Sequence, residues 1–422
     1  MIRKIFMRGL IMLGKRMISM AITVMLAFSV FAAGSKDSSS QKTDVQNMSF
    51  AQMTEAARGT TVSFYGWGGD EALNKWLDTV FAAKMKEKYD ITMKRVPMDI
   101  DLILSKLSGE LAAGKANGTI DMIWINGENF KSAKQNNMLF GPFTEKLPNY
   151  AKYLDRNNPE NTTDFGFPIE GYEAPYGRAQ LVLIHDSTVT PDAPKNTAEL
   201  LAFAKKYKGK VTYPALPDFT GSAFVRNIIC DICGYEQFQT MKEDKATVKK
   251  AIEPALAYLR ELKPYLWKEG KTYPASSVQL NNMFMDGEAV LHITYSPFAV
   301  ARAIQEGKYP ETAQSFVFEK GTVGNTNFIA VAKNAPNKAG AMLAINEMMS
   351  AEIQHSRYSN LKTLPVIDNN KLSAAEKKLF EDTKIGKGVL PQGELLQKRI
   401  PEMPAGLVPI IEEIWLEEVA GK

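Results

Sequence analysis

Residues 60–125 alternate strand and helix signals in a rhythm that few folds accept. TTVSFY (residues 60–65) is a β-branched and aromatic run that predicts a strand. After it, Leu73, Trp76, Leu77, Val80, Phe81 and Met85 fall at helical spacing on one face, with Asp70 placed to cap that helix. DITMKRVPM (residues 90–98) predicts a second strand, and residues 101–113 a second helix ending near Gly114. IDMIWI (residues 120–125) is a third strand, apolar enough to be covered on both faces. Consecutive strands joined through helices require a parallel α/β sheet. Ligands in such sheets lie beyond the carboxyl ends of the strands. The loop YGWGGD (residues 65–70) leaves the first strand at that rim.

A second α/β block follows. Strands are predicted over residues 179–186, 210–214 and 289–295, with helices over 197–207, 222–233 and 245–265. The stretch NTNFIAVAKNAPNKAGAMLAINEMMSAEIQ then gives a strand, a turn and an amphipathic helix, and the chain ends mostly helical. No repeat of fixed period is present. Two blocks with a late strand returning to the first suggest two lobes joined by crossing segments.

Five of the 51 basic residues lie within the first 34, where no acid matches them, so the remainder is within one charge of neutral. A neutral body gives no electrostatic reason to expect nucleic acid or an anionic membrane as partner. The basic head precedes the uncharged run MISMAITVMLAFSVFAA (residues 17–33), and residues 1–34 read as a secretory signal peptide, with a retained anchor as the alternative. The polar, Ser-rich residues 35–58 read as a flexible tether. FAAGS carries no cysteine for a lipid anchor. The only cysteines, Cys230 and Cys233, have no second pair for zinc and sit at the end of a helical run, so they read as buried structural thiols, with a local disulfide the minor reading.

Taken in order, FYGWGG, IDMIWINGE, APYGRAQLVLIHDS, FMDGEAVLHITYS and the returning strand and helix resemble the extracellular solute-binding proteins of bacterial ABC importers. The branch is the one with maltose, iron, polyamine and thiamine binders, and the likeness extends to the YnjB-type binding proteins. The resemblance implies a two-lobed, type II periplasmic-binding-protein-like α/β fold, each lobe a sheet sandwiched by helices, around a central cleft. Residues 59–177 and 324–370 would form lobe one, and 178–323 and 371–422 lobe two. It also implies an exported, periplasmic or cell-surface monomer that delivers a small solute to membrane permease subunits and uses no cofactor.

The rim loops supply the candidate ligand residues: Tyr65, Trp67, Gly68 and Asp70 from the first strand, and Trp124, Asn126 and Glu128 from the third. The second block adds Asp218, Phe219, Thr220, Ser222 and Tyr295, and the return adds Asn325 and Asn327. Aromatics with carboxylates suit a thiamine-like or polyamine-like organic cation. The free amides at Thr220–Ser222 would instead suit an anion, so a phosphorylated cation satisfies both. Structural roles compete at several positions: Asp70 as a helix cap, Trp124 as core, Glu128 as a first-turn acid. No catalytic or metal-ligating set emerges. His185, His292 and His355 are isolated, and GELAAGKA (residues 109–116) has P-loop spacing but ends in alanine and closes a helix. A secreted hydrolase using Asp70 and Glu128 as paired carboxylates is the alternative.

Overall fold

The computed structural model describes residues 44–421. The predicted signal peptide and residues 35–43 of the predicted tether lie outside these. From residue 44 onward the tether expectation is overturned, because Phe50–Ala57 is a helix closed by a reciprocal cap between Ser49 and Gln52. Met53 and Ala57 are buried against the helix Lys338–Met348. Phe50, Met53 and Ala57 are a helical apolar pattern inside a polar-looking segment.

The strands are β1 (Thr61–Gly66), β2 (Thr92–Pro97), β3 (Met122–Ile125), β4 (Leu139–Phe140), β5 (Thr163–Asp164), β6 (Phe167–Pro168), β7 (Glu173–Gln180), β8 (Val182–Asp186), β9 (His292–Thr294), β10 (Ala313–Phe316), β11 (Thr322–Ala332) and β12 (Arg399–Pro401). The main sheet runs β12-β11-β3-β1-β2, with β7 and β4 also paired to β11. β1 is parallel to β2 and β3, as the alternating pattern predicts, and β11 returns antiparallel to β3. The small second sheet, β10-β8-β9, is antiparallel throughout.

Two expectations for the second block change. The predicted strand over 179–186 breaks at Leu181, because residues up to Gln180 pair with β11 and those from Val182 pair with β9 and β10. One apolar run thus serves two sheets. Residues 210–214 form no strand. Tyr213 there is buried, its ring against Phe224, Tyr273 and Trp415, so its β-favouring side chain marks core rather than ladder.

The apolar residues sort into two main cores. One draws on residues 45–176 and 328–372, the other on residues 179–323 and 403–419. β7 and β11 pass between them side by side, from Ala330 opposite Glu173 to Gly324 opposite Gln180. Their register shifts between Asn327 and Phe328, which face Gly177 and Pro175, so Tyr176 is the extra residue. Both thiols are free, with Cys230 buried and burial pushing its pKa up.

Candidate functional site

β1 ends at the loop Trp67–Asp70, and its glycines are explained by space. A Cβ on Gly68 would come within 2.5 Å of Pro97, and one on Gly69 would collide with the Trp67 indole. Asn74 Nδ2 pins the loop by donating to the Gly68 carbonyl at 2.7 Å. Trp67 is therefore held over Gly69 yet stays 44 % exposed, edge-on to Trp124 at 6.4 Å. Trp124 is edge-on to Tyr176 at 5.8 Å. Asp70 does two jobs: Oδ1 accepts from the Leu73 amide at 3.0 Å, and Oδ2 accepts from Arg302 Nη2 at 2.8 Å. Arg302 stands on the helix Ala299–Gln305, whose Val300 packs with Ile184 and Phe284 beside the second sheet. The ion pair therefore crosses between the sides of the molecule.

Behind that pair lies a cavity of about 70 Å³, room for several waters. Trp124 lines it from the first core, with Trp67 and Asp70 from the loop after β1; Tyr295 lines it from the second core, and Arg302 from the helix Ala299–Gln305. The crossing strands contribute Tyr176, Arg178 and Asn327, and the segment after the return helix contributes Arg357 and Lys362. Four basic side chains thus face the cavity against one carboxylate. Arg357 is 4 % exposed, its guanidinium 4.6 Å from the centre of the Tyr176 ring. Its hydrogen bond goes to the Tyr176 carbonyl, and its Nε has no partner among the described residues. Lys362 is buried too, and among the described residues it donates only to the Lys384 carbonyl at 3.3 Å. Burial pushes the pKa of both below the ordinary value.

Beyond Tyr295 lies a denser polar cluster. Arg226, on the helix Phe219–Cys233, forms a buried bidentate pair with Glu402 at 2.8 and 3.0 Å. Burial works against that charge, but Glu402 beside it more than offsets this and raises the guanidinium pKa. The Tyr295 hydroxyl also donates to Glu402. Ser222 Oγ donates to Glu412 at 2.5 Å and accepts from Arg226. Glu128 Oε2 is shut off from solvent with no partner among the described residues, and desolvation pushes its pKa up to about 7.

A sequence profile of the bacterial extracellular solute-binding proteins matches residues 81–384. The chain belongs to that family. This solute-binding protein is 35% identical over 369 residues to protein YnjB of Escherichia coli K12, covering 86% of this chain and 92% of that one. Its fold is similar to that of the periplasmic binding protein AfuA of Actinobacillus pleuropneumoniae, solved with exogenous fructose-6-phosphate. There the TM-score is 0.61 at 14% identity, over 85% of this chain and 98% of that one. It is also similar to a putative spermidine/putrescine ABC transporter structure from Listeria monocytogenes, with TM-score 0.59 at 18% identity, over 86% and 99%. The predicted type II α/β binding-protein fold is therefore the observed one.

In this solute-binding protein the cavity gathers five of the sequence-predicted residues: Trp67, Asp70, Trp124, Tyr295 and Asn327. The others lie elsewhere. Tyr65 is buried in the first core, and Gly68 serves the loop. Asn126 joins the Trp124 indole to the Thr326 carbonyl. Asp218 caps its helix by accepting from the Thr220 and Gly221 amides, both at 3.0 Å, so the free-amide anion site expected there is already filled. Ser222 is held by Arg226 and Glu412. Phe219 packs on Phe165 and Tyr295, and Asn325 is buried with both side-chain amide atoms unpartnered among the described residues. Glu128 does not line the cavity, so the carboxylate pair of the hydrolase alternative is not assembled around it. Tyr176, Arg178, Arg302, Arg357 and Lys362 were not anticipated. The one signal for Tyr176 and Arg178 was their place in the crossover APYGRAQ, since crossing strands must border a cleft.

Proposed function

We propose that this protein is the substrate-binding component of a bacterial ABC importer, exported as a monomer. It captures one small polar solute between residues 59–177 with 324–370 and residues 178–323 with 371–422, then hands it to the permease. The single observation that carries this is the cavity itself: both cores and both crossing strands supply side chains to it, and the Asp70–Arg302 pair borders it. A guest touching both sides favours the closed arrangement through its differential affinity. Fold neighbours named for a sugar phosphate and for polyamines leave the solute class open, because the shared fold supports either. The lining charge favours neither thiamine-like nor polyamine-like cations, which four basic groups would repel.

Small-angle scattering across a panel of vitamins, sugars, amines and phosphorylated metabolites tests this. The expected result is a smaller radius of gyration with one compound class, accompanied by a change in tryptophan fluorescence from Trp67 and Trp124. An unchanged radius with every compound that binds would remove closure from the account. Trp67→Ala is expected to weaken solute binding about tenfold, roughly 1–2 kcal/mol, because its half-exposed ring offers a face to the guest. The melting temperature without solute should hardly change. A large drop in it would make Trp67 a packing residue instead.

A further inference from the structure

We propose that the solute is an organic anion, and that Arg357, with Lys362 and Arg178, holds its phosphate or carboxylate group inside this cavity. This rests on the cleft reading above and names the class of guest.

Arg357 carries the argument. A guanidinium shut away from water without a counter-charge is costly, and folded proteins pair such groups. Here no carboxylate lies within ion-pair distance of Arg357 among the described residues, and Nε stays unpartnered. The chain nevertheless positions this charge with care. Its guanidinium sits over the Tyr176 ring, and Nη1 donates to the Tyr176 carbonyl. Gly177 leaves the room: a Cβ there would stand 2.9 Å from both Nη1 and Nη2. The glycine at the register shift between the two cores therefore also cradles a cation, and a planar fork with free donors matches an oxyanion.

Two further cations converge on the same cavity. Lys362 adds a buried lysine whose one acceptor among the described residues is a main-chain carbonyl. Arg178 is only partly compensated: it lies 3.4 Å from Glu160, which Arg399 takes at 2.7 Å. Arg302 is already matched by Asp70. The uncompensated charge in the cavity is therefore positive, and Trp67 and Trp124 leave an apolar face for the organic part of the guest.

Thermal unfolding of the purified protein tests this with four probes at matched ionic strength: inorganic phosphate, acetate, spermidine and glucose. Phosphate at ten times its dissociation constant is expected to raise the melting temperature by about 2 °C. That shift should vanish in Arg357→Met and shrink by at least half in Lys362→Met. Arg357→Met removes an unpaired buried charge and is expected to melt no lower than the parent without ligand, and Lys362→Met gives a second reading should it do so. A shift with acetate and none with phosphate assigns the group as a carboxylate. The reverse assigns a phosphate. A shift with spermidine or glucose alone overturns the anion proposal and leaves the cleft reading standing. So does a phosphate shift that survives Arg357→Met. No shift with any probe overturns the anion site, while the cleft reading is then decided separately by the scattering experiment.

Discussion

Glu402→Ala is expected to destabilise the protein by about 3–5 kcal/mol, read as a lower midpoint in chemical denaturation at constant slope. Arg226 and Glu402 are both almost wholly buried, at 1% and 2% side-chain exposure. Removing one partner leaves the other charged and out of reach of water. The loss spreads further, because the Tyr295 hydroxyl and the Met403 amide also give their hydrogen bonds to Glu402. The double variant Arg226→Met with Glu402→Leu is expected to regain most of the loss, since it removes both charges and fills their space. A cost under about 1 kcal/mol for Glu402→Ala would mean that water reaches Arg226 and that the cluster is looser than described.

Glu128→Gln should stabilise the protein at pH 8 and do so far less at pH 5. Glu128 opens the helix Gly127–Gln135, where the backbone dipole favours a negative charge, yet desolvation is the larger effect and lifts its pKa from 4.5 to about 7. Arg226 lowers that pKa, whereas Glu412 and Glu402 raise it. The folded protein thus holds a proton that the unfolded chain releases above about pH 4.5. Stability falls as pH rises from about 4.5 to 7 and levels off beyond, a loss of about 3 kcal/mol from this group. Asp164 and Glu173 are pushed the same way by burial and add to the slope. Denaturation at pH 5 and pH 8 on parent and variant checks this. An equal pH 5-to-8 difference in the two proteins would clear Glu128 of any part in it.

The legible features were the local ones. The alternation of periods over residues 60–125 predicts that β1, β2 and β3 run parallel, though not their order β2-β1-β3, and Asp70 caps its helix as its position suggests. Trp67 is legible too, because a large ring between glycines in a loop is hard to explain by packing alone. The illegible features were relational. Asp218 looks like a ligand group until the two amides it serves are seen. Arg357 and Lys362 follow the return helix Lys338–Met348, far in sequence from any predicted strand tip, and only the fold carries them to the cavity. A broken strand at Leu181 reads as continuous because the same apolar residues satisfy two different sheets. The helix Phe50–Ala57 was hidden by polar neighbours, since three apolar positions are few against a serine-rich background.

The first core is not contiguous in the chain: it needs residues 45–176 together with residues 328–372. During synthesis at about 5–20 residues per second, roughly 8–30 s separate the arrival of its two parts. Until β11 emerges, β3 lacks its neighbour and the sheet keeps an open flank. Closure of the first core therefore waits on residues 328–372, so no tertiary structure that depends on β11 can form until most of the chain has been made.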